Sequence, residues 1–385
     1  MIGRAIVNVL ISILLILSIP GLIHAADLNS SGISHPFGIT PGGLGTSVTS
    51  HEKTFNITGG TRKGSNLFHS FSMFNLHSGE RAVFHDSGIR NTISRVTGGD
   101  YSWVNGTIES GAENLYLINP HGVMFGPDAF LDLDGSFHAT TADYLRLGEN
   151  DSFFSVPGTG DILSSADPSA FGFLDHNAAP ITYQGKETSE QDNTGSLGVA
   201  ESRTLSLVGG DIHISSGNIK APGGQISLSG VLSPGEVIPT KSGMDISCSE
   251  KGNITLTDKS LIDVSGTGAG SIFIQGGRFV ASDSDIYART LGDKNGGVTD
   301  IRAHNISLEN GAAIFGNTLG TGKSPDIVIQ ADESFTVSGG NAGTDNSVVY
   351  AGSGIPGEPS ENLGDTGISW LKQKIFHLQT VLEFP

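Results

Sequence analysis

Residues Asn253 to Gln275 read NITLTDKSLIDVSGTGAGSIFIQ, and the grammar of this stretch decides the fold. Ile254 and Leu256 alternate with Thr255 and Thr257, then come Leu261, Ile262 and Val264, a G-T-G-A-G turn, and Ile272 with Ile274. Period-two alternation turns the apolar members of each short strand to one side and leaves Thr, Ser, Asp and Lys on the other. The unit from Asn305 repeats the pattern, with Ile306 and Leu308, then Ala313 to Phe315, the turn LGTGKSPD, and Ile327 to Ile329.

Similar strand triplets begin at Leu205, Ile226, Ile254, Phe279, Ile306 and Phe335. Their spacing of about 21 to 29 residues is that of a solenoid repeat. No single coil can bury its inner face. Stacking coils so that each strand pairs in parallel with its equivalents above and below solves the problem, and glycine fits the corners, where positive φ and close approach are needed. The expected architecture is therefore an all-β parallel β-helix, with Ile254, Phe279 and Ile306 on one inner wall. A β-sandwich or jelly roll also has many short strands, but does not call for repeats with a shared internal grammar.

The composition agrees with a repetitive exported β protein. Of 385 residues 55 are Gly and 16% are charged, and the formal net charge is -18. Such acidity disfavours nucleic acid or an anionic membrane as a partner. The single cysteine, Cys248, has no partner for an internal disulfide and reads as a small buried hydrophobe. Residues 1–25 read as a signal peptide: Arg4, an apolar stretch from Ile6 to Ile19, the break at Pro20 and Gly21, and cleavage after Ala25. Asn8 and Ser12 interrupt a stretch already short for a membrane anchor.

Closer to the amino terminus the chain is less regular. Gly38 to Val48 is rich in Gly and Thr, and Phe55 to Ile57, Arg81 to His85 and Leu115 to Ile118 read as short strands. Four ordered pieces stand out here. Phe71 and Phe74-Asn75-Leu76 come first, Asn91 to Gly99 reads NTISRVTGG, Gly106 to Ile108 is G-x-I, and Asn119-Pro120-His121-Gly122-Val123 follows strand LYLI. Together they resemble the amino-terminal domain of filamentous haemagglutinin-like exoproteins, the cargo of two-partner secretion. The chain departs from that pattern at His121, where the family usually has Asn, and at Phe74-Asn75-Leu76, where better-known members read Asn-Pro-Asn-Leu.

The resemblance implies a right-handed parallel β-helix with an amino-terminal β cap. It divides the chain into a secretion domain at 33–147, β-helix repeats at 148–352, and a linker and tail at 353–385. It further implies a Gram-negative exoprotein that crosses the periplasm and is recognised by an outer-membrane β-barrel transporter with periplasmic domains, then is released or held at the cell surface as an adhesin with host or cell-surface ligands. Asn75, Leu76, Asn91, Arg95, Gly98, Gly99, Asn119, Pro120, His121 and Gly122 are the residues it marks for transporter recognition. Independently, Pro120 ends a strand, Asn119 can close a turn with its carboxamide, and Gly122 can take positive φ.

No catalytic or metal constellation accompanies these motifs. Asp132 with Asp134, and Asp283 with Asp285, sit two apart, so that on a strand each pair shares a face. They read as solvated acids rather than a calcium site or the acid pair of a pectin lyase-like enzyme acting on polysaccharide. His69, His77 and His85 read as solvated strand histidines, and H-E-x-x-H, G-x-S-x-G, P-loop and dinucleotide fingerprints are missing. No enzyme activity and no cofactor are expected, and the terminal residues do not supply the barrel of a classical autotransporter.

The last eighteen residues break the pattern. Ile368, Leu371, Ile375, Leu378 and Leu382 are spaced as on an amphipathic helix, with Trp370, Phe376 and Val381 adding bulk. Such a helix would either plug the open end of the solenoid or be an appendage to a truncated reading frame. Truncation is the favoured expectation, because relatives with longer repeat regions would continue the coils.

Overall fold

The computed structural model describes residues 27–158, 160–186, 196–240, 242–339, 346–354, 364–366, 369–373 and 376–379. The expected signal peptide at 1–25 and the stretch at 355–363 lie outside these residues. Among the described residues all regular elements are β-strands, and most pair in parallel as successive coils of a β-helix with three walls.

One coil shows how the sequence makes the walls. Ile254–Thr257 lies on the second wall and Leu261–Asp263 on the third. Ser271–Ser282 then runs along the first wall and turns at Gly276 and Gly277 onto the second. A Cβ on Gly277 would lie 2.4 Å from the Lys251 carbonyl oxygen, so the corner excludes any side chain there. Inside, Ile254, Leu256, Ile262, Val264, Ile272 and Ile274 are fully buried.

In-register pairing aligns these side chains into rows. On the first wall Leu117, Ala139, Leu207, Leu228, Ile274, Ile301 and Ile329 stack in order. On the second, Val123, Ile181, Ile212, Ile254, Phe279, Ile306 and Phe335 do the same, which meets the expectation for Ile254, Phe279 and Ile306. On the third, Leu197, Ile219, Ile262, Ile286, Ile314 and Val349 follow one another.

The train of six triplets is in fact two trains. Leu205 and Ile226 belong to the first wall, whereas Ile254 onward belongs to the second; Ile226 stacks on Ile272, not on Ile254. Between them a hairpin, Gly235–Thr240 and Gly243–Ile246, leaves the solenoid. Its length resembles a coil, which is why sequence spacing cannot distinguish the two.

That hairpin joins Tyr144–Leu147, Asp151–Phe154 and Pro168–Phe173 in an antiparallel sheet. This outer sheet lies on the outside of the first wall. Outward-facing Phe68, Ile93, Tyr116 and Ile118 meet Phe153, Phe171, Phe173, Val237 and Met244 in a second core. First-wall strands such as Asn91–Val96 and Ser136–Thr140 are consequently buried on both faces. At the amino-terminal side, Gly38–Gly43 and Thr61–Lys63 pair antiparallel with Asn66–Asn75, whose other partner is the parallel strand Asn91–Val96.

Three other expectations are corrected. The tail is not a helix: Ser369–Gln373 and Phe376–Gln379 pair in parallel with Asp326–Ser338, so Leu371 and Leu378 continue the first and second walls. Ile368, Ile375, Val381 and Leu382 lie outside the described residues. Asp283 and Asp285 do not share a strand face, since Asp283 takes φ 47° in the turn before Asp285–Tyr287. His69 is not solvated but buried, as described below.

Phe279 is fully buried in the middle of the second-wall row. Phe279→Ala is expected to lower unfolding stability by about 3–5 kcal/mol, read as a shift in urea midpoint, whereas Thr255→Ala on the outer side should change it by less than about 0.5 kcal/mol.

Candidate functional site

The marked residues fall into four groups. Asn75, Leu76, Asn119 and Gly122 converge on one strand, Ser102–Val104. The Asn75 carboxamide oxygen accepts from the Trp103 amide at 2.8 Å, and the Leu76 amide donates to the Trp103 carbonyl at 2.7 Å. The Asn119 carboxamide donates to Ser102 Oγ and the Asp100 carbonyl, each at 3.1 Å. Ser102 in turn donates its amide to the Gly122 carbonyl at 3.0 Å.

The Asn119 turn is closed twice. Its side-chain oxygen accepts from the His121 amide at 3.0 Å and its carbonyl from the Gly122 amide at 3.1 Å. Gly122 has φ 117°, a conformation that a side chain would strain. Asn119 is fully buried, Pro120 is partly exposed, and His121 is exposed. Of the two departures from the family pattern, His121 therefore faces solvent, whereas Phe74-Asn75-Leu76 is buried.

Asn91 belongs to a different feature, a ladder on the first wall. Its carboxamide nitrogen donates to Asn66 Oδ1 at 2.8 Å and to Asp167 Oδ1 at 3.0 Å, and its oxygen accepts from Asn114 at 3.0 Å. In-register parallel strands place identical amides one strand spacing apart, so each satisfies the next.

Arg95 also points outward, into the second core. Its guanidinium meets Asp161 at 2.6 Å, the Phe154 carbonyl at 2.8 Å and Ser70 Oγ at 3.2 Å, and lies 4.6 Å from the Phe153 ring centroid. Arg95 thus anchors the outer sheet to the solenoid. Gly98 passes so close to the Ser72 carbonyl that a Cβ would lie 2.1 Å from its oxygen, whereas a Cβ on Gly99 would meet open space.

Sequence reading missed the centre of the corner. Asp27 is 1% exposed, and its Oδ1 accepts from Trp103 Nε1 at 3.0 Å and Asn105 Nδ2 at 2.7 Å, while the Ser78 amide reaches the carboxylate at 3.1 Å. His35 stacks on Trp103 with ring centroids 3.7 Å apart and bonds Tyr101 at 2.9 Å. Three donors on one buried carboxylate compensate its desolvation. The available signal was Trp103 itself, one of two tryptophans, whose indole N–H needs an acceptor when buried.

Of the three histidines expected to be solvated, His85 is exposed and His77 partly exposed, but His69 is buried. His69 lies in the core beside Phe71 and Phe84, and burial pushes its pKa down to about 4; the same holds for His138, stacked on Tyr116 at 4.5 Å. Cys248 is buried, as expected, and burial raises its thiol pKa. Asp132 and Asp134 face solvent, with Asp132 3.3 Å from Arg81.

Residues 38–274 match the family model of the TPS secretion domain, well over half of the chain. The chain belongs to the two-partner secretion family. It is accordingly an exoprotein that passes through the periplasm and is recognised by an outer-membrane transporter partner. The crystal structure of the HMW1 secretion domain from Haemophilus influenzae is similar at 16% identity with a TM-score of 0.46, covering 89% of this chain and 99% of that one. No curated protein matches the sequence.

Two predictions follow from these contacts. Asp161→Ala leaves the Arg95 charge buried without its partner and should cost roughly 3–5 kcal/mol, with faster proteolysis within residues 141–173. Unfolded histidine takes a proton near pH 6.5, whereas folded His69 and His138 refuse it until about 4. Their stabilising effect is complete above pH 6.5 and is lost as pH falls towards 4, up to roughly 3 kcal/mol for each. Urea midpoints measured from pH 7.5 to 4.5 should fall less steeply for His138→Gln than for the unmodified protein.

Proposed function

We propose that this exoprotein is an adhesin-like, non-catalytic solenoid whose export depends on the corner built by Asn75, Leu76, Asn119, Pro120, His121 and Gly122 around strand Ser102–Val104. The observation that carries this reading is the convergence of two sequence-distant family motifs on one short strand. Asn119 and Gly122 act by setting the turn, and the surface offered to the transporter is Pro120 and His121. Asn91, Arg95, Gly98 and Gly99 support the same region from the ladder, the outer sheet and the loop.

Before the corner closes, the amino-terminal strands offer main-chain donors and acceptors with alternating side chains, which suits capture by strand addition to the transporter's periplasmic modules. Once outside, each coil templates the next. Gly38–Gly43 and Thr61–Lys63, paired on the edge of Asn66–Asn75, act as the amino-terminal cap by occupying groups that would otherwise recruit another chain. A signal peptide cleaved after Ala25 starts the route. The placement of four aspartates supports the non-catalytic reading: Asp132 and Asp134 face solvent, and Asp283 and Asp285 do not form a shared face.

In a strain carrying the transporter partner, Asn119→Ala and Gly122→Val should each cut secretion several-fold by immunoblot, with periplasmic product degraded. His121→Asn should leave export unchanged or improve it. Full secretion of both turn variants would overturn the corner's role.

A further inference from the structure

The outer face of the first wall carries a cavity of about 500 Å³ beside the hairpin Gly235–Thr240 and Gly243–Ile246. Its floor comes from four successive strands in register: Asn114, Ser136, Thr204 and Gln225 in one row, and Tyr116, His138 and Ser206 in the next. Met244 of the hairpin closes one side. We propose that this cavity is a binding site for a neutral oligosaccharide segment.

Three features select that chemistry. The first is charge. No residue lining the cavity is acidic or basic apart from His138, which burial keeps neutral, so a phosphate, sulfate or uronate would find no countercharge there. The second is the supply of hydrogen-bonding groups. Among the described residues the Tyr116 hydroxyl and His138 Nε2 have no hydrogen-bond partner; His138 uses its other nitrogen on Ser206 at 3.1 Å. Asn114 and Gln225 spend their amide nitrogens on Asn91 and Ser227, which leaves their carbonyl oxygens as acceptors. Hydrogen-bonding groups thus line the floor on strands about 4.8 Å apart, which suits a chain of hydroxyl-bearing rings.

The third is preorganisation. Tyr116 is 8% and His138 9% exposed, and their stacked rings are packed against Phe171, so the polar edges are fixed before a ligand arrives. Beyond Met244 a second cleft of about 280 Å³ extends along the same wall past Gln275, Arg302 and Gln330. There Arg302 is paired with Asp300 at 2.6 and 2.8 Å, and Asp245, Lys251 and Asp332 also line the cleft, so charge of both signs sets it apart from the uncharged cavity. The neutral site is thus confined to the first cavity, with Met244 lining both.

This inference deepens the adhesive role proposed above and rests on that reading, but its test uses purified protein and can fail independently of adherence by cells. Calorimetry or NMR titration of the secreted full chain with hexasaccharides of glucose, mannose and N-acetylglucosamine, alongside oligogalacturonate, is the experiment. At least one neutral hexasaccharide should bind, and oligogalacturonate should bind at least tenfold more weakly. Tyr116→Phe, which removes only the hydroxyl, and Gln225→Leu should each weaken binding at least fivefold while the thermal midpoint of Tyr116→Phe stays within a few degrees. Absence of binding by all three neutral probes at millimolar concentration, preference for the uronate, or binding indifferent to both variants would overturn the proposal.

Discussion

Everything in this molecule depends on parallel, in-register contact between equivalent side chains of adjacent coils. An inner isoleucine has no core of its own to enter; its surroundings are the isoleucine or phenylalanine one strand above and the one below. Burial of apolar area supplies the driving force, and strand hydrogen bonds fix the spacing at which that burial is possible. The same register that aligns Phe279 with Ile306 on the inside aligns Asn66, Asn91 and Asn114 on the outside. A single geometric rule thus produces both a dry core and a self-satisfying polar ladder.

The corner around Ser102–Val104 applies that rule at a place where the chain must turn. Asn119 replaces missing main-chain partners with its own carboxamide, and Asp27 does the same for Trp103, Asn105 and Ser78 from a segment far away in sequence. Buried polar groups here are satisfied and directional. They define which loops meet, whereas the apolar rows define only that strands stack.

The inner walls were legible from period-two alternation because the inward side chains of Ile254, Leu256, Ile262 and Ile274 face one environment throughout. The outer sheet was not legible. Tyr144–Leu147 and Gly235–Thr240 belong to it; the first alternates, but alternation reports that one face is buried and is silent about whether it meets its own coil or the outside of another, and the second, GEVIPT, does not alternate at all. The tail failed for a related reason, since Leu371 and Leu378 sit on different walls of one coil and mimic two turns of a helix. At the corner, the Asn119 turn could be read because Asn, Pro and Gly have strong local preferences. Asp27 could not, because its partners lie some fifty to eighty residues downstream and nothing local marks the pairing.

The outer sheet also imposes an order of events. Pro168–Phe173 cannot pair with Gly235–Thr240 until the coils carrying Leu205 and Ile226 have been wound. During growth from the amino-terminal side, the apolar outer face at Ile93 and Tyr116 therefore waits, partly roofed by Tyr144–Leu147, for a closing piece that arrives about two coils later. Until then backward slippage reopens little; afterwards it would have to dismantle a second core as well as a stack of strands. The hairpin behaves as a pawl on a ratchet, making the first stage of folding reversible and the second effectively one-way.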